Sequence, residues 1–291
     1  MIPAQFDYVR PAGMREALQI LVDREGDAKI LAGGYSLLPL LKLRLASPAL
    51  LVDIRDIDGL DEIVETTDGL RIGGRATHRS ILENSVVVGG YPLLTDAAGG
   101  IGDPQVRNWG TIGGSCAHAD PSSDWPAVLI ATSASIILQS TAGNRTVPAR
   151  SFFVDTFQTA IEPTELLTEV IIPRAPRPSG AAYAKLERRA GDFATVGVAA
   201  QLTLGADGRI SAAGLGLTAV AEAPFAATDA EAGLVGSEPN EAAFRAAGIA
   251  AAAQSRPGTD SHGPVEYKRA MVKEMVVRAL RSAAGRAQAQ R

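Results

Sequence analysis

Two hydrophobic periods alternate along this chain, and each change of period marks an element. Residues 5–10 alternate apolar and polar, a strand signature closed by Pro11. Over 14–22, Ala17, Leu18, Leu21 and Val22 share one helical face, with Gly26 beyond as a stop. A short strand at 29–31 runs into Ala32-Gly33-Gly34-Tyr35-Ser36, followed by a leucine-dense helix over 37–45 with Ser36 at its N-cap. Residues 50–54 are a further strand, so the opening is a small α/β unit. A hairpin is expected at 63–64 and 70–72, helices at 80–82 (capped by Thr77), 93–98 and 125–132, and strands at 135–139 and 166–172. Residues 147–150 read as a turn.

Residues 174–180, Arg-Ala-Pro-Arg-Pro-Ser-Gly, have linker composition. Three strands are expected after them, at 181–187, 196–204 and 209–220, with Asp207-Gly208 turning the last two. Helices are expected at 241–254 and 265–281, where Met271, Met275, Val276 and Leu280 form a core stripe. The expected organisation is a two-part domain over 1–176 (1–57 and 58–176), a C-terminal domain over 177–285 and a frayed tail over 286–291, the fraying beginning near Ser282.

The stretch from 101 to 124 breaks the pattern. It is polar, glycine-dense and long for a loop inside a compact domain, which makes it a candidate functional loop. It shares with 32–36 a Gly-Gly pair followed closely by serine. Paired glycines let backbone approach a ligand, and consecutive N–H groups make a nest for phosphate oxygens. The alternative for each loop is a plain connection, because short glycine motifs recur by chance. Gly214-Leu-Gly216-Leu-Thr-Ala219 matches a dinucleotide-binding variant, but Pro224 falls where its long helix should run.

Composition narrows the classes. Thirty glycines in 291 residues exceed the usual share of roughly 7%. Five Gly pairs, at 33–34, 73–74, 89–90, 99–100 and 113–114, lie in the first 114 residues. A net charge of −4 with no basic stripe argues against nucleic-acid and anionic-membrane binding. The longest mostly apolar run, 127–138, is too short to span a bilayer, and the N-terminus lacks the pattern of a secretory signal. The expectation is a soluble cytoplasmic protein with no transmembrane segment. Cys116, the single cysteine, excludes an internal disulfide and a four-cysteine cluster on this chain. His78, His118 and His262 lack metal-ligand spacing, so no metal site is expected; Cys116 reads as a packed residue.

Read together, Ala32-Gly33-Gly34-Tyr35-Ser36-Leu37-Leu38-Pro39, Ile101-Gly-Asp103-Pro-Gln-Val-Arg107-Asn108 and Thr111-Ile112-Gly113-Gly114-Ser115 resemble the FAD-binding subunits of molybdenum hydroxylases. This is the superfamily of xanthine dehydrogenase and aerobic carbon monoxide dehydrogenase. The resemblance continues through Ala119-Asp120-Pro121-Ser-Ser-Asp124, Leu166-Leu167-Thr168, Tyr183-Ala-Lys185 and Arg188-Arg189-Ala-Gly-Asp192-Phe193, and spans nearly the whole chain. The resemblance is strongest to the medium subunits of carbon monoxide dehydrogenases, and related subunits acting on aromatic or N-heterocyclic substrates look much the same. Tyr35 departs from the histidine expected there, which bears on the substrate of the complex.

The resemblance implies an α+β fold: a two-part FAD domain of the vanillyl-alcohol-oxidase type, then a smaller three-stranded α+β domain. It implies that Ala32, Gly33, Gly34, Tyr35 and Ser36 bracket the diphosphate of a non-covalent FAD with Thr111, Ile112, Gly113, Gly114 and Ser115. The N–H groups of 33–36 and 113–115, with the hydroxyls of Ser36, Thr111 and Ser115, would donate to phosphate. Asp124 would accept from a hydroxyl, or serve as a plain N-cap. Lys185 would face the flavin's pyrimidine end, Phe193 its ring face, and Ile101 and Leu167 would line the site. The implied partners are a molybdenum-cofactor large subunit, a small [2Fe-2S] subunit and an external electron acceptor such as a quinone. The chain would then carry electrons and have no substrate-transforming residue of its own. A self-contained flavin oxidoreductase and a non-redox nucleotide-binding protein remain as alternatives.

Overall fold

The computed structural model describes residues 2–290. Met1 and Arg291, which begin the expected first domain and end the expected tail, lie outside the described residues. The chain opens with β1 (Asp7–Val9), α1 (Met14–Asp23), β2 (Ala28–Leu31), α2 (Leu37–Lys42) and β3 (Leu50–Asp53). β1 and β2 both pair with β3 in parallel, which requires crossovers, and α1 and α2 lie on the chain path between the strands. Ala17, Leu18 and Leu21 of α1 are buried with Val52 and Ile54. Leu41 of α2 is buried with Leu31 and Leu51.

A second unit carries β4 (Ile63–Glu65), β5 (Gly69–Gly73), α3 (His78–Glu83), α4 (Ser85–Gly90), α5 (Pro92–Gly99), α6 (Pro104–Trp109), α7 (Ile112–His118), α8 (Asp124–Ala131), β6 (Ser135–Ser140), β7 (Gly143–Pro148), α9 (Ala149–Phe152), β8 (Phe153–Asp155), β9 (Gln158–Thr159) and β10 (Leu166–Pro173). Its antiparallel sheet has the order β4-β5-β10-β6-β7. Every residue of α8 is buried, and Trp125 is fully so. The Trp125 indole Nε1 donates to His78 Nδ1 at 3.0 Å. His78 is therefore a buried acceptor, and burial holds its pKa down at about 4. Cys116 packs in the same core, where burial pushes its thiol well up.

The third unit carries β11 (Ser179–Leu186), β12 (Val196–Leu204), β13 (Ile210–Thr218), β14 (Phe225–Ala226), α10 (Thr228–Leu234), α11 (Glu241–Gln254) and α12 (Val265–Gln288). These strands form an antiparallel sheet in chain order. β12 is buried along nearly its whole length, as a strand covered on both faces must be. Helices α10, α11 and α12 share one core with it. The other cover is α8, which reaches β13 very closely. A Cβ on Gly214 would stand 2.0 Å from Ala131 O, and one on Gly216 would stand 2.0 Å from Ala127 O. The Gly214-x-Gly216 pattern is thus a helix-packing surface and not a nucleotide motif.

The α+β class and the order of units are as the sequence indicates. Several local expectations need correction. The 101–124 stretch is two short helices, α6 and α7, with Asp103 and Thr111 as their caps. Residues 147–150 are not a turn but end β7 and enter α9, and the local pattern marks none of α4, β7, β8, β9, α10 and β14. The 207–208 turn belongs to a longer loop, closed by Gly205 N–H donating to Arg209 O at 2.8 Å. The tail does not fray where expected: α12 continues to Gln288 with Ala283, Ala284 and Ala287 buried. Arg286 clamps it, donating to both carboxylate oxygens of Asp96 (2.6 and 3.0 Å) and to Ala181 O (2.6 Å).

Two stability outcomes are expected. Gly216→Val forces a side chain into the α8 backbone and should cost about 3 kcal/mol, read as a lower urea midpoint; an unchanged midpoint contradicts the packing described. His78 has a folded pKa below its unfolded value of about 6.5, so the unfolded chain binds its proton first as pH falls. Wild type should lose about 3 kcal/mol between pH 6.5 and 4 that a His78→Gln variant does not lose. Parallel pH profiles for the two proteins would rule this out.

Candidate functional site

The first glycine loop leaves β2 and enters α2. Gly34 has φ +81°, a left-handed conformation suited to glycine. Among the described residues, no N–H of residues 33–36 donates to a protein acceptor. Their carbonyls are partly used: Gly34 O accepts from Leu38 N at 2.8 Å and Ser36 O from Leu40 N at 3.3 Å. Ser36 occupies the N-cap position of α2, but its side chain makes no capping bond, contrary to expectation. Four consecutive open amides and a hydroxyl form an anion-ready nest. Tyr35, beside them, is exposed.

The second glycine segment presses on the first. A Cβ on Gly33 would stand 2.0 Å from Trp109 O and 3.0 Å from Gly110 Cα. The segment itself is held firmly. Arg107 Nη1 donates to Ile101 O (3.0 Å) and Gly102 O (2.8 Å), closing the turn before α6. Ile112 N donates to Ala76 O, Gly113 N to Gly74 O, and Ser115 N to Thr111 O. Gly114 N donates to the Thr111 hydroxyl at 3.1 Å. The amides of 113–115 are therefore committed within the protein, and the expectation that they donate to phosphate does not hold. Glycine is needed at 113 for a different reason: a Cβ there would lie 2.4 Å from Gly74 O. The Ser115 and Ser123 hydroxyls pair at 2.6 Å.

Asp124 is not a cap either. Ser123 holds that position, and Asp124 is the first residue of α8. Its buried carboxylate accepts from Tyr183 Oη at 2.6 Å and from Lys185 Nζ at 3.1 Å. Lys185 Nζ also donates to Gly100 O at 2.9 Å and lies 3.4 Å from Glu187 Oε2. Burial raises the Asp124 carboxyl above the usual range despite the adjacent ammonium, and burial together with that carboxylate pushes Tyr183 well up. Nothing in the local sequence around Glu187 and Arg107 marks them for these contacts. For Tyr183, the i, i+2 spacing of 183 and 185 along β11 is the available signal, since alternate residues share a face.

The remaining candidates flank this cluster. Ile101, half-buried, packs against the central core. Leu167 is buried at an irregularity in the pairing of β10 with β6, and a Cβ on Gly74 would lie 2.5 Å from its carbonyl oxygen. Phe193 is exposed, in the connection from β11 to β12. That connection docks on the segment before α6: a Cβ on Gly191 would lie 2.4 Å from Gly102 O. The structure thus brings 32–36, 110–113, Gly74 and Leu167 into one backbone junction. Asp124, Lys185 and the 100–102 turn form a second, with the Phe193 loop against that turn, and α6 joins the two. A cleft of about 450 Å³ against the 174–178 connection contains none of these residues.

Open amides stand at the first loop, and Lys185, nearly buried, has three N–H donors but only two hydrogen-bonded acceptors. Against known proteins, residues 4–175 match the family described as the FAD binding domain in molybdopterin dehydrogenase. Residues 181–283 match the CO dehydrogenase flavoprotein C-terminal domain. The chain is 40% identical to the carbon monoxide dehydrogenase medium chain of Afipia carboxidovorans, covering 99% of both chains. It is 38% identical to the 6-hydroxypseudooxynicotine dehydrogenase complex subunit alpha of Paenarthrobacter nicotinovorans, covering 99% of this chain and 97% of that one. Its structure superposes on the reconstituted CO dehydrogenase from Oligotropha carboxidovorans with a TM-score of 0.95 at 40% identity, covering 98% of this chain and 100% of that chain.

Proposed function

The chain belongs to the FAD-binding subunit family of the molybdenum hydroxylases, and from that premise we propose that it is the electron-transfer subunit of such a complex. It is an FAD-binding oxidoreductase subunit. In the reading we favour, FAD is held without a covalent bond by the two-part domain up to residue 176. Electrons arrive from a [2Fe-2S] cluster on a small partner subunit and leave to an external acceptor such as a quinone. A large partner subunit carries the molybdenum cofactor and transforms the substrate. The complex works in the cytoplasm, and no helix among the described residues is long and apolar enough to cross a membrane.

The observation that carries this reading is the first glycine loop. Four amides in a row without protein acceptors, set against Gly110 by a glycine-only contact, are a cradle for diphosphate oxygens. In this reading Ala32, Gly33, Gly34, Tyr35 and Ser36 take the diphosphate. Thr111, Ile112, Gly113, Gly114 and Ser115 support that cradle from behind, with the Ser115 hydroxyl in reach of a ligand. Ile101, Leu167 and Phe193 border the ring system, and Asp124 orients Lys185 toward its polar edge. Bound FAD supplies a carrier that exchanges electrons one or two at a time. The chain's own residues bind it, place it and set the charge around it.

We assign the complex to carbon monoxide oxidation. A second reading, oxidation of an N-heterocyclic or aromatic substrate, is favoured by Tyr35 and by the near-equal identity to the 6-hydroxypseudooxynicotine dehydrogenase subunit.

Three outcomes test this. Purified chain incubated with FAD should retain it through gel filtration and show a flavin spectrum; a colourless protein sinks the reading. Gly33→Val should drive the first loop off Trp109 and reduce FAD retention at least about tenfold with an unchanged far-UV spectrum, because it destroys the cradle without touching a core; full retention removes the cradle from the binding site. Mass spectrometry of the native complex should find a molybdenum subunit and a cysteine-rich small subunit, and the intact complex should oxidise carbon monoxide. A lone chain that turns over a substrate at full rate would instead mark a self-contained flavin oxidoreductase, and heterocycle oxidation alone would select the second reading.

A further inference from the structure

Lys185 lies between two carboxylates that are held very differently. The ammonium commits one N–H to Gly100 O at 2.9 Å and one to Asp124 Oδ2 at 3.1 Å. Asp124 is fixed from its other side by Tyr183 Oη at 2.6 Å. Glu187 stands two residues along the chain from Lys185, just past the end of β11, with its carboxylate turned to the ammonium. Its Oε2 is 3.4 Å from Lys185 Nζ, within ion-pair reach, yet that oxygen is closed to solvent and receives no hydrogen bond. Asp124 already neutralises Lys185. Glu187 therefore adds an uncompensated negative charge to a site where the lysine side chain is 8% exposed and Glu187 itself 25%.

The closed Oε2 gains an ion-pair contact with Lys185 but no hydrogen bond, so the pair adds little to the fold. Stability does not explain Glu187. Its position beside the third, uncommitted N–H of Lys185 does. The other charged groups on the packed elements are already engaged: Asp96 of α5 with Arg286 and the Tyr183 N–H, and Arg107 of α6 with the carbonyls of Ile101 and Gly102.

We propose that Glu187 is a positioning residue that sets the reduction potential of FAD bound here, as a counter-charge sharing the Lys185 ammonium with the flavin. The inference rests on the reading above that Lys185 faces the flavin ring. Glu187 forms no bond and transfers no proton; it acts through charge. Reduction adds negative charge to the ring, which Lys185 stabilises and Glu187 opposes. With Glu187 neutral, the ammonium's third N–H is left to the ring and one opposing negative charge is gone, so reduction becomes easier. Asp124 cannot trade places with it, since Tyr183 and α8 lock its carboxylate.

The test is a redox titration of the FAD-loaded full chain against a reference dye at one pH, for wild type, Glu187→Gln, Glu187→Asp and Lys185→Met. Glu187→Gln should shift the reduction equilibrium toward reduced flavin by about tenfold or more, Glu187→Asp should stay within about threefold of wild type, and Lys185→Met should shift it the opposite way. A merely structural Glu187 would not give shifts of opposite sign. The inference is overturned if Glu187→Gln stays within about twofold of wild type or favours oxidised flavin, or if Lys185→Met moves in the same direction. A folded Glu187→Gln protein that holds no FAD overturns it too, because a counter-charge is not a binding group. Wild type that loads FAD while the variants fail these expectations removes this inference alone; wild type that takes up none removes the functional reading with it.

Discussion

The approach of α8 to β13 is the contact on which the rest of the molecule depends. α8 is apolar on all sides apart from Asp124 at its start, so it is stable only when covered completely. The central sheet covers one side. The C-terminal sheet covers the other, and it comes close enough only because Gly214 and Gly216 place no Cβ against the helix carbonyls. Thr218 reinforces the same seam, its hydroxyl bonded to Pro121 O and Ser123 O at 2.6 and 2.8 Å. This one packing decision joins two units of sheet and carries Asp124 to Tyr183 and Lys185, residues about sixty positions away in the chain.

The site follows the same logic at smaller scale. It is assembled from backbone segments in direct contact, at Gly33 on Trp109 and Gly113 on Gly74. Rigid junctions of this kind hold a polar cradle open without filling it. The amides of 113–115 are consumed in building the junction, and those of 33–36 have no protein acceptor among the described residues. Two glycine loops that look alike in sequence therefore have unlike duties, one as a support and the other as an anion nest.

Electrostatics concentrates at the other end. A buried lysine between two carboxylates is costly unless its geometry is held tightly. Tyr183 and Gly100 hold Asp124 and Lys185, and α12 helps through Arg286, which grips Asp96 while Asp96 accepts the Tyr183 N–H at 3.2 Å. The last turn of the final helix is thus tied to the strand that carries the lysine, which explains why residues past 282 stay helical.

Local pattern alone determined much of this protein. The α1 stripe, the alternation in β5 and β10, the linker composition before β11 and the apolar face of α12 each point to one element, because period and turn chemistry are properties of adjacent residues. The glycine pairs and the serines beside them, taken with the family resemblance, marked both loops as special. Only the tertiary structure decided what each group does. Asp103-Pro104 and Thr111 are readable as helix starts, yet the glycines and polar residues of 101–124 hid two helices that survive through capping and packing. Asp124 looks like a cap in sequence and is a buried ion-pair partner in space. Gly214 and Gly216 look like a nucleotide motif and are a helix seat. Hydrogen-bond commitment and close approach depend on residues distant in sequence, which no local period encodes.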